Sequence, residues 1–171
     1  MKDDLPKGLA AGDAAAYQQT YDLYGPALFG AALRILASAP DAEDALQDVF
    51  VSLVRNRDRL AQVGNMKAYL FASLRHAAGR ILRRRQHTAA TELEAAISTA
   101  ALSSDDRCQS DRLWALAAGL PAVQLEVLAL RIQGELTFKE IADICGISLN
   151  TAASRYRYAL EKLKLMVERK T

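Results

Sequence analysis

Apolar residues recur along this chain every three or four positions, the spacing of one face of an α-helix. No stretch alternates as a strand does, and β-branched runs are few. The pattern predicts an all-α protein. A first helix starts near Gly12-Asp13, with Asp13 as its cap, and runs through Tyr17, Tyr21, Tyr24 and Leu28 towards Leu36. Gly25-Pro26 is expected to kink or split it. After a break at Ser38-Ala-Pro-Asp41, Asp41 reads as the cap of a second helix ending near Asn56. Its apolar face is Ala42, Ala45, Leu46, Val49 and Leu53. Val63-Gly64-Asn65 breaks the chain again, and a third helix follows from about Met66 to Arg85, burying Leu70, Leu74, Ala78 and Ile81.

The periodicity then fades. Residues 87–111 are small and polar, including Ser103-Ser104-Asp105-Asp106, and read as a flexible linker with a candidate short helix around 92–97. Two small helical domains are therefore expected, 1–86 and 112–171. Periodicity resumes at Arg112, with Leu113, Leu116, Ala117 and Leu120 on one helix and Pro121 as the first residue of the next.

The last third carries the sharpest local signals. Thr137 and Glu140 are spaced as a capping box, which satisfies orphan amides at a helix start. Ile141, Ala142 and Ile144 face inward on a short helix, Ala142 being small where two helices cross. Gly146 falls where the turn needs a left-handed backbone, Ile147 plugs the core and Ser148 caps a second helix. Leu149, Ala152, Tyr156, Leu160 and Leu163 are the expected buried stripe of that helix. Asn150, Thr151, Ser154, Arg157 and Tyr158 are left on its outer face, with Arg155 beside them. Short polar groups and arginines on a second helix of this kind reach base edges and phosphates in a major groove. A helical hairpin with a solvated basic face is the plain alternative. The combination of capping box, close-packing alanine, turn glycine and basic second helix favours DNA binding.

The net charge is only +2, but it conceals patches. Asp41 to Asp48 holds Asp41, Glu43, Asp44 and Asp48 with no base, and Arg75 to His87 holds Arg75, Arg80, Arg83, Arg84 and Arg85 with no acid. Local field steers a charged partner. The arginines can neutralise phosphates, and Tyr69 and Phe71 offer stacking surfaces for unpaired bases, unless Phe71 is core. Asp44, Gln47, Asp48 and Val51 share the outer face of the second helix, suited to a basic partner or simply to solvent.

Other chemistry is disfavoured. His76 and His87 lie among arginines with no second ligand near, so no metal is expected. Cys108 and Cys145 match no metal or redox spacing and read as reduced thiols, Cys145 as a small core residue. No nucleophile–base pair or phosphate loop appears, which argues against an enzyme, and no cofactor is expected. The acidic N-terminus, MKDDLPKG, lacks signal-peptide character, and no apolar run is long enough to span a bilayer, so a cytoplasmic protein is expected.

Taken together, the chain resembles a group IV, or extracytoplasmic-function, sigma factor of the sigma-70 family. Asp41-Ala-Glu-Asp-Ala-Leu-Gln-Asp-Val-Phe50 is similar to that family's polymerase-binding pattern AEDLxQExF. Ala68-Tyr-Leu-Phe71 through Arg83-Arg-Arg85 is similar to its −10-reading and melting helix. Leu120-Pro121, Thr137 to Ile147 and Thr151-Ala-Ala-Ser-Arg155 are similar to its −35-reading domain. The resemblance implies a dissociable subunit that turns core RNA polymerase into a promoter-specific enzyme, with no bond chemistry of its own.

It further implies that Asp44, Gln47, Asp48 and Phe50 dock on the β′ clamp coiled coil, with the β flap as a second polymerase contact. Tyr69, Arg75, His76, Arg80, Arg83 and Arg84 would meet the −10 element, and Asn150, Thr151, Ser154, Arg155, Arg157 and Tyr158 the −35 element. An anti-sigma protein is an implied further partner. The chain departs from the family's W-L-x-x-I-A-x-N-x-x-x-D at Tyr69, His76 and Arg80, and has Ala152-Ala153 where relatives carry valine and a base. Two alternatives stay open: a stand-alone helix-turn-helix regulator, which would lack affinity for core polymerase, and a helical adaptor, which would lack affinity for DNA.

Overall fold

The structure is a computed structural model that describes residues 5–91 and 109–169. Among these, all regular structure is helical, in nine helices. The first five are α1 (Leu5–Ala11), α2 (Ala14–Leu36), α3 (Ala39–Arg55), α4 (Arg57–Leu60) and α5 (Met66–Thr91). The remainder are α6 (Gln109–Ala117), α7 (Ala122–Ile132), α8 (Phe138–Cys145) and α9 (Leu149–Glu168). Helix α1 precedes the expected first helix. It buries Leu5 and Leu9 against α2 and α4, and the Tyr17 hydroxyl donates to the Leu9 carbonyl at 3.2 Å.

Asp13 caps α2 as expected, accepting from the Ala15 amide at 3.0 Å. The helix is not split at Gly25-Pro26 but continues through Pro26 to Leu36. Proline removes one rung of the hydrogen-bond ladder there, and the buried Leu28, Ala31 and Ala32 that follow keep the helix seated. The cap of α3 is Ser38 rather than Asp41. Its Oγ accepts from the Asp41 amide at 3.3 Å, and Asp41 lies in the first turn, where the helix dipole favours a carboxylate. Ala42, Ala45, Leu46, Val49 and Leu53 are all buried. Helix α5 starts on Asn65, whose side-chain oxygen accepts from the Ala68 amide at 3.0 Å. It buries Leu70, Leu74, Ala78 and Ile81 and extends past Arg85 to Thr91.

The expected linker thus begins as helix, and α6 occupies its far end from Gln109. The candidate helix at 92–97 and Cys108 lie outside the described residues. Pro121 is the residue before α7, not its first, with ψ of 140°. In α6 the buried residues are Trp114 and Ala117, while Leu113 is 45% exposed.

The two halves do not stand apart. One core cluster runs from Leu28, Ala31, Phe71 and Leu74 into Val127, Leu130, Leu136 and Ile141. Helix α2 packs on α7, and α5 packs on α8. At the crossing, Gly134 is pressed between Leu136 and the Phe71 ring; a β-carbon there would come within 2.6 Å of the Leu130 carbonyl oxygen. A second cluster, Trp114, Ala117, Leu120, Leu128, Ala129 and Ala159, fills the far side of α6–α9.

Candidate nucleic-acid and polymerase interfaces

Helix α8, the turn and α9 form the expected helix-turn-helix. Thr137 and Glu140 make the capping box in full: the Glu140 amide donates to Thr137 Oγ1 at 3.2 Å, and the Thr137 amide to Glu140 Oε2 at 2.7 Å. Gly146 ends α8 at φ 65°, ψ 37°, the left-handed conformation a Cβ disfavours. Ser148 caps α9 by accepting from the Thr151 amide at 3.0 Å. Ile141 and Ala142 are buried, with Ile144 and Ile147 packed half-buried beside them. The buried stripe of α9 is shifted from expectation. It runs through the buried Ala152 and Ala159 with Tyr156 and Leu163 half-buried beside them, while Leu149 and Leu160 are 52% and 43% exposed. Leu160 stands about 100° round the helix from Ala159, which makes the close approach instead.

This arrangement leaves Asn150, Arg157 and Tyr158 exposed on α9 and Thr151, Ser154 and Arg155 half-buried beside them. The Arg157 guanidinium lies 5.1 Å from the centre of the Tyr158 ring and 3.9 Å from Glu161. The Thr151 hydroxyl shares a 2.8 Å hydrogen bond with Ser148.

On α5, three of the five arginines are engaged within the chain. Arg80 reaches Asp48 of α3 at 3.1 Å. Arg85 donates to the Leu36 carbonyl at 2.8 Å and pairs with Asp41. Arg75 pairs with Glu126 of α7 at 2.9 Å. Burial works against the Arg75 charge, yet Glu126 beside it holds the guanidinium above its ordinary value. Arg83, Arg84, His76 and His87 are exposed and Tyr69 is half-buried. Phe71 is fully buried, so it is core and offers no stacking face. Cys145 is half-buried, and burial followed by the Glu126 charge pushes its thiol up to about 11, an unreactive group.

On α3, Asp44 and Gln47 are exposed, and Asp48 and Phe50 half-buried. The Phe50 ring sits 5.5 Å from that of Tyr21. Both line a cleft of about 600 Å³ with Pro26, Phe29, Leu46 and Gln47. Tyr21, Val51 and Val54 are 50%, 45% and 54% exposed. The acids thus border an apolar surface. The sequence reading ran the first helix through Tyr21 and gave that side chain no surface; the Tyr17, Tyr21, Tyr24 run has three bulky amphipathic rings where a wholly buried face favours leucine.

Residues 20–88 match the family model of sigma-70 region 2, and residues 116–165 that of sigma-70 region 4. Together they span well over half of the sequence. The chain belongs to the sigma-70 family, in its extracytoplasmic-function group. Among relatives, it is 25% identical to the ECF RNA polymerase sigma factor SigK of Mycobacterium tuberculosis, over 95% of this chain and 91% of the relative. It is 29% identical to the RNA polymerase sigma factor CarQ of Myxococcus xanthus, over 87% of each. Among solved structures, the sigma factor RpoE of Bartonella quintana, crystallised with the anti-sigma factor NepR, superposes with a TM-score of 0.74 at 25% identity, over 89% of this chain and 96% of that one. CnrH, solved with the cytosolic domain of CnrY, gives 0.72 at 23% identity over 99% and 98%.

This sigma factor is an alternative RNA polymerase subunit that binds the core enzyme and directs it to promoters for initiation. The match to region 2 disfavours a stand-alone regulator, which has no use for it. Sigma factors as a family are not enzymes, and no described helix is long and apolar enough to cross a membrane.

Proposed function

We propose that this sigma factor divides its work by domain: residues 1–86 dock on core polymerase and read the −10 element, 87–111 connect, and 112–171 read the −35 element. The acidic face of α3, Asp44, Gln47 and Asp48 with Phe50, takes the β′ clamp coiled coil, and the exposed Tyr21, Val51 and Val54 extend that contact. Helix α5 presents Tyr69, Arg75, His76, Arg80, Arg83 and Arg84 to the −10 element and its melted strand. Helix α9 lays Asn150, Thr151, Ser154, Arg155, Arg157 and Tyr158 against the −35 element, while α6–α9 also meets the β flap. The protein acts in the cytoplasm, performs no bond chemistry and needs no cofactor. Like RpoE with NepR, it takes an anti-sigma partner.

The observation that carries this reading is the coexistence, on one chain, of an acidic face bordered by apolar residues on α3 and a fully capped helix-turn-helix with a basic outer face. Anisotropy of the labelled protein titrated with bacterial core polymerase tests the first half. Saturable binding is expected, and Asp44→Lys/Asp48→Lys lowers affinity at least ~100-fold by setting like charges against a complementary patch. The Asp48–Arg80 pair is exposed and its loss costs about 0–1 kcal/mol, so the circular dichroism spectrum stays unchanged. Undiminished affinity refutes the assignment. For the second half, Arg157→Ala weakens −35 binding by ~1–3 kcal/mol if it reads a base. An equal loss on scrambled duplex reduces it to a phosphate contact.

A further inference from the structure

The junction between the two domains has a consequence for promoter reading. The names of the −10 and −35 elements put them about 25 base pairs apart, about 85 Å of duplex. A chain of this length packed as one body is about 40 Å across. DNA this short resists being folded back on itself. The closed packing of α5 on α8 is therefore incompatible with reading both elements at once.

The closed form also consumes a DNA-facing residue. Arg75 Nε donates to Glu126 Oε1 at 2.9 Å, and the other Glu126 oxygen lies 3.9 Å from Cys145 Sγ. The Glu126 side chain is only 18% exposed and that of Arg75 34%. Around this pair, Asn65 Nδ2 donates to Glu140 Oε1 at 2.7 Å and Lys67 Nζ to the Glu135 carbonyl at 3.5 Å. Three side chains from the start and middle of α5 or its cap thus bond region 4, two of them on α7 and α8 and one on the turn between these helices. A carboxylate and a phosphate oxygen offer arginine the same charge-assisted hydrogen bond.

We propose that Glu126 is an internal stand-in for a backbone phosphate, holding Arg75 in the closed chain and releasing it to DNA when α7 and α8 leave α5. Glu126 is thereby the residue that couples separation of α7 and α8 from α5 to the DNA affinity of Arg75. This rests on the reading that α5 faces promoter DNA.

The test uses the full chain without polymerase and a fluorescein-labelled, mixed-sequence 20-nucleotide single strand at low salt. Glu126→Gln is expected to tighten binding about three- to tenfold and to steepen the salt dependence by about 0.7, one added phosphate contact. Arg75→Ala shows no such gain, and Arg75→Ala/Glu126→Gln matches Arg75→Ala alone. Asp22→Asn removes one exposed acid elsewhere and corrects for net charge. A gain no larger than that of Asp22→Asn, or one that persists without Arg75, overturns the proposal. Glu126→Asp, which withdraws the carboxylate by one methylene, gives the same Arg75-dependent gain in smaller measure and serves should Glu126→Gln fail to fold. Arg83→Ala/Arg84→Ala separates the two layers. If it weakens binding while Glu126→Gln does nothing, only the stand-in role fails; if it leaves binding unchanged, the reading of α5 beneath it fails.

Discussion

Helices α2, α3 and α5 run for 23, 17 and 26 residues, and their interior is Leu28, Leu36, Leu53, Leu70, Phe71 and Leu74. Helices α7 and α8 run for 11 and 8, and α8 buries only Ile141 and Ala142. Helices that short are marginal alone in water. Region 4 compensates with local hydrogen-bonded ends: the Thr137–Glu140 box, the Gly146 turn and the Ser148 cap. Region 2 relies more on bulk, so side-chain truncation should cost it most, whereas region 4 should also feel a single backbone change. The domains meet where Phe71 of the first presses Gly134 of the second.

Phe71→Ala should have the largest effect. A fully buried phenylalanine truncated to alanine costs about 3–5 kcal/mol. Trp114 is the single tryptophan and packs from α6 against Leu128, Ala129 and Ala159 of the region 4 helices, so its fluorescence reports the other domain. In urea, Trp114 fluorescence and far-ultraviolet dichroism should shift together, because the core is shared. A Trp114 midpoint that stays in place while the dichroism shifts would mean two cores that unfold independently.

A pair of glycines sharpens the contrast at a smaller scale. At Gly146 a β-carbon has open space but the wrong backbone, so Gly146→Ala should lose about 1–2 kcal/mol. At Gly79, within α5, the backbone is helical and the nearest neighbour is the flexible end of Arg83 at 3.4 Å, so Gly79→Ala should gain about 0.5–1 kcal/mol. Thermal melting of the two variants should therefore move in opposite directions. If both fall, Arg83 cannot yield, and the packing on α5 is tighter than its exposure suggests.

The same contrast explains what was legible. Capping chemistry is local, so the box at Thr137, the turn at Gly146 and the caps at Asp13 and Ser148 could be read from single residues and their spacing. The stripe Ala42, Ala45, Leu46, Val49, Leu53 could be read for the same reason. At Ser38 two good capping residues stood three apart, and proline between them let the helix begin at the earlier one. Helix α1 was missed because seven residues carry too few turns for a period to show. The pattern marks which residues are apolar, not which neighbour covers them. Hence Leu149 and Leu160, read as buried, turned outward, and the open choice at Phe71 fell to the core. Charge runs placed the arginines of α5 and the acids of α3 on the correct helices. That Arg80 spends its charge on Asp48, and Arg75 on Glu126, depends on tertiary packing, which no spacing encodes.

Glu140 joins the two modes of support, and its effect should be the smallest. Its carboxylate accepts from the Thr137 amide at 2.7 Å, the Thr137 hydroxyl at 2.8 Å and the Asn65 amide of region 2 at 2.7 Å. The Thr137 backbone bond is the chief reason its pKa lies below the usual carboxylate value; burial opposes the shift, and the Thr137 hydroxyl, Asn65 and Lys67 assist it. A group whose folded value is depressed adds stability that is complete above its unfolded value and is lost as pH falls through the folded one. The stability difference between wild type and Glu140→Gln should therefore be constant near neutrality and shrink on acidification. In an Asn65→Ala background that shrinkage should be smaller, since one bond to the ionised form has gone. If Asn65→Ala leaves the pH profile unchanged, Glu140 serves its own helix only, and the junction with region 2 rests on Arg75, Glu126 and the apolar core beneath them.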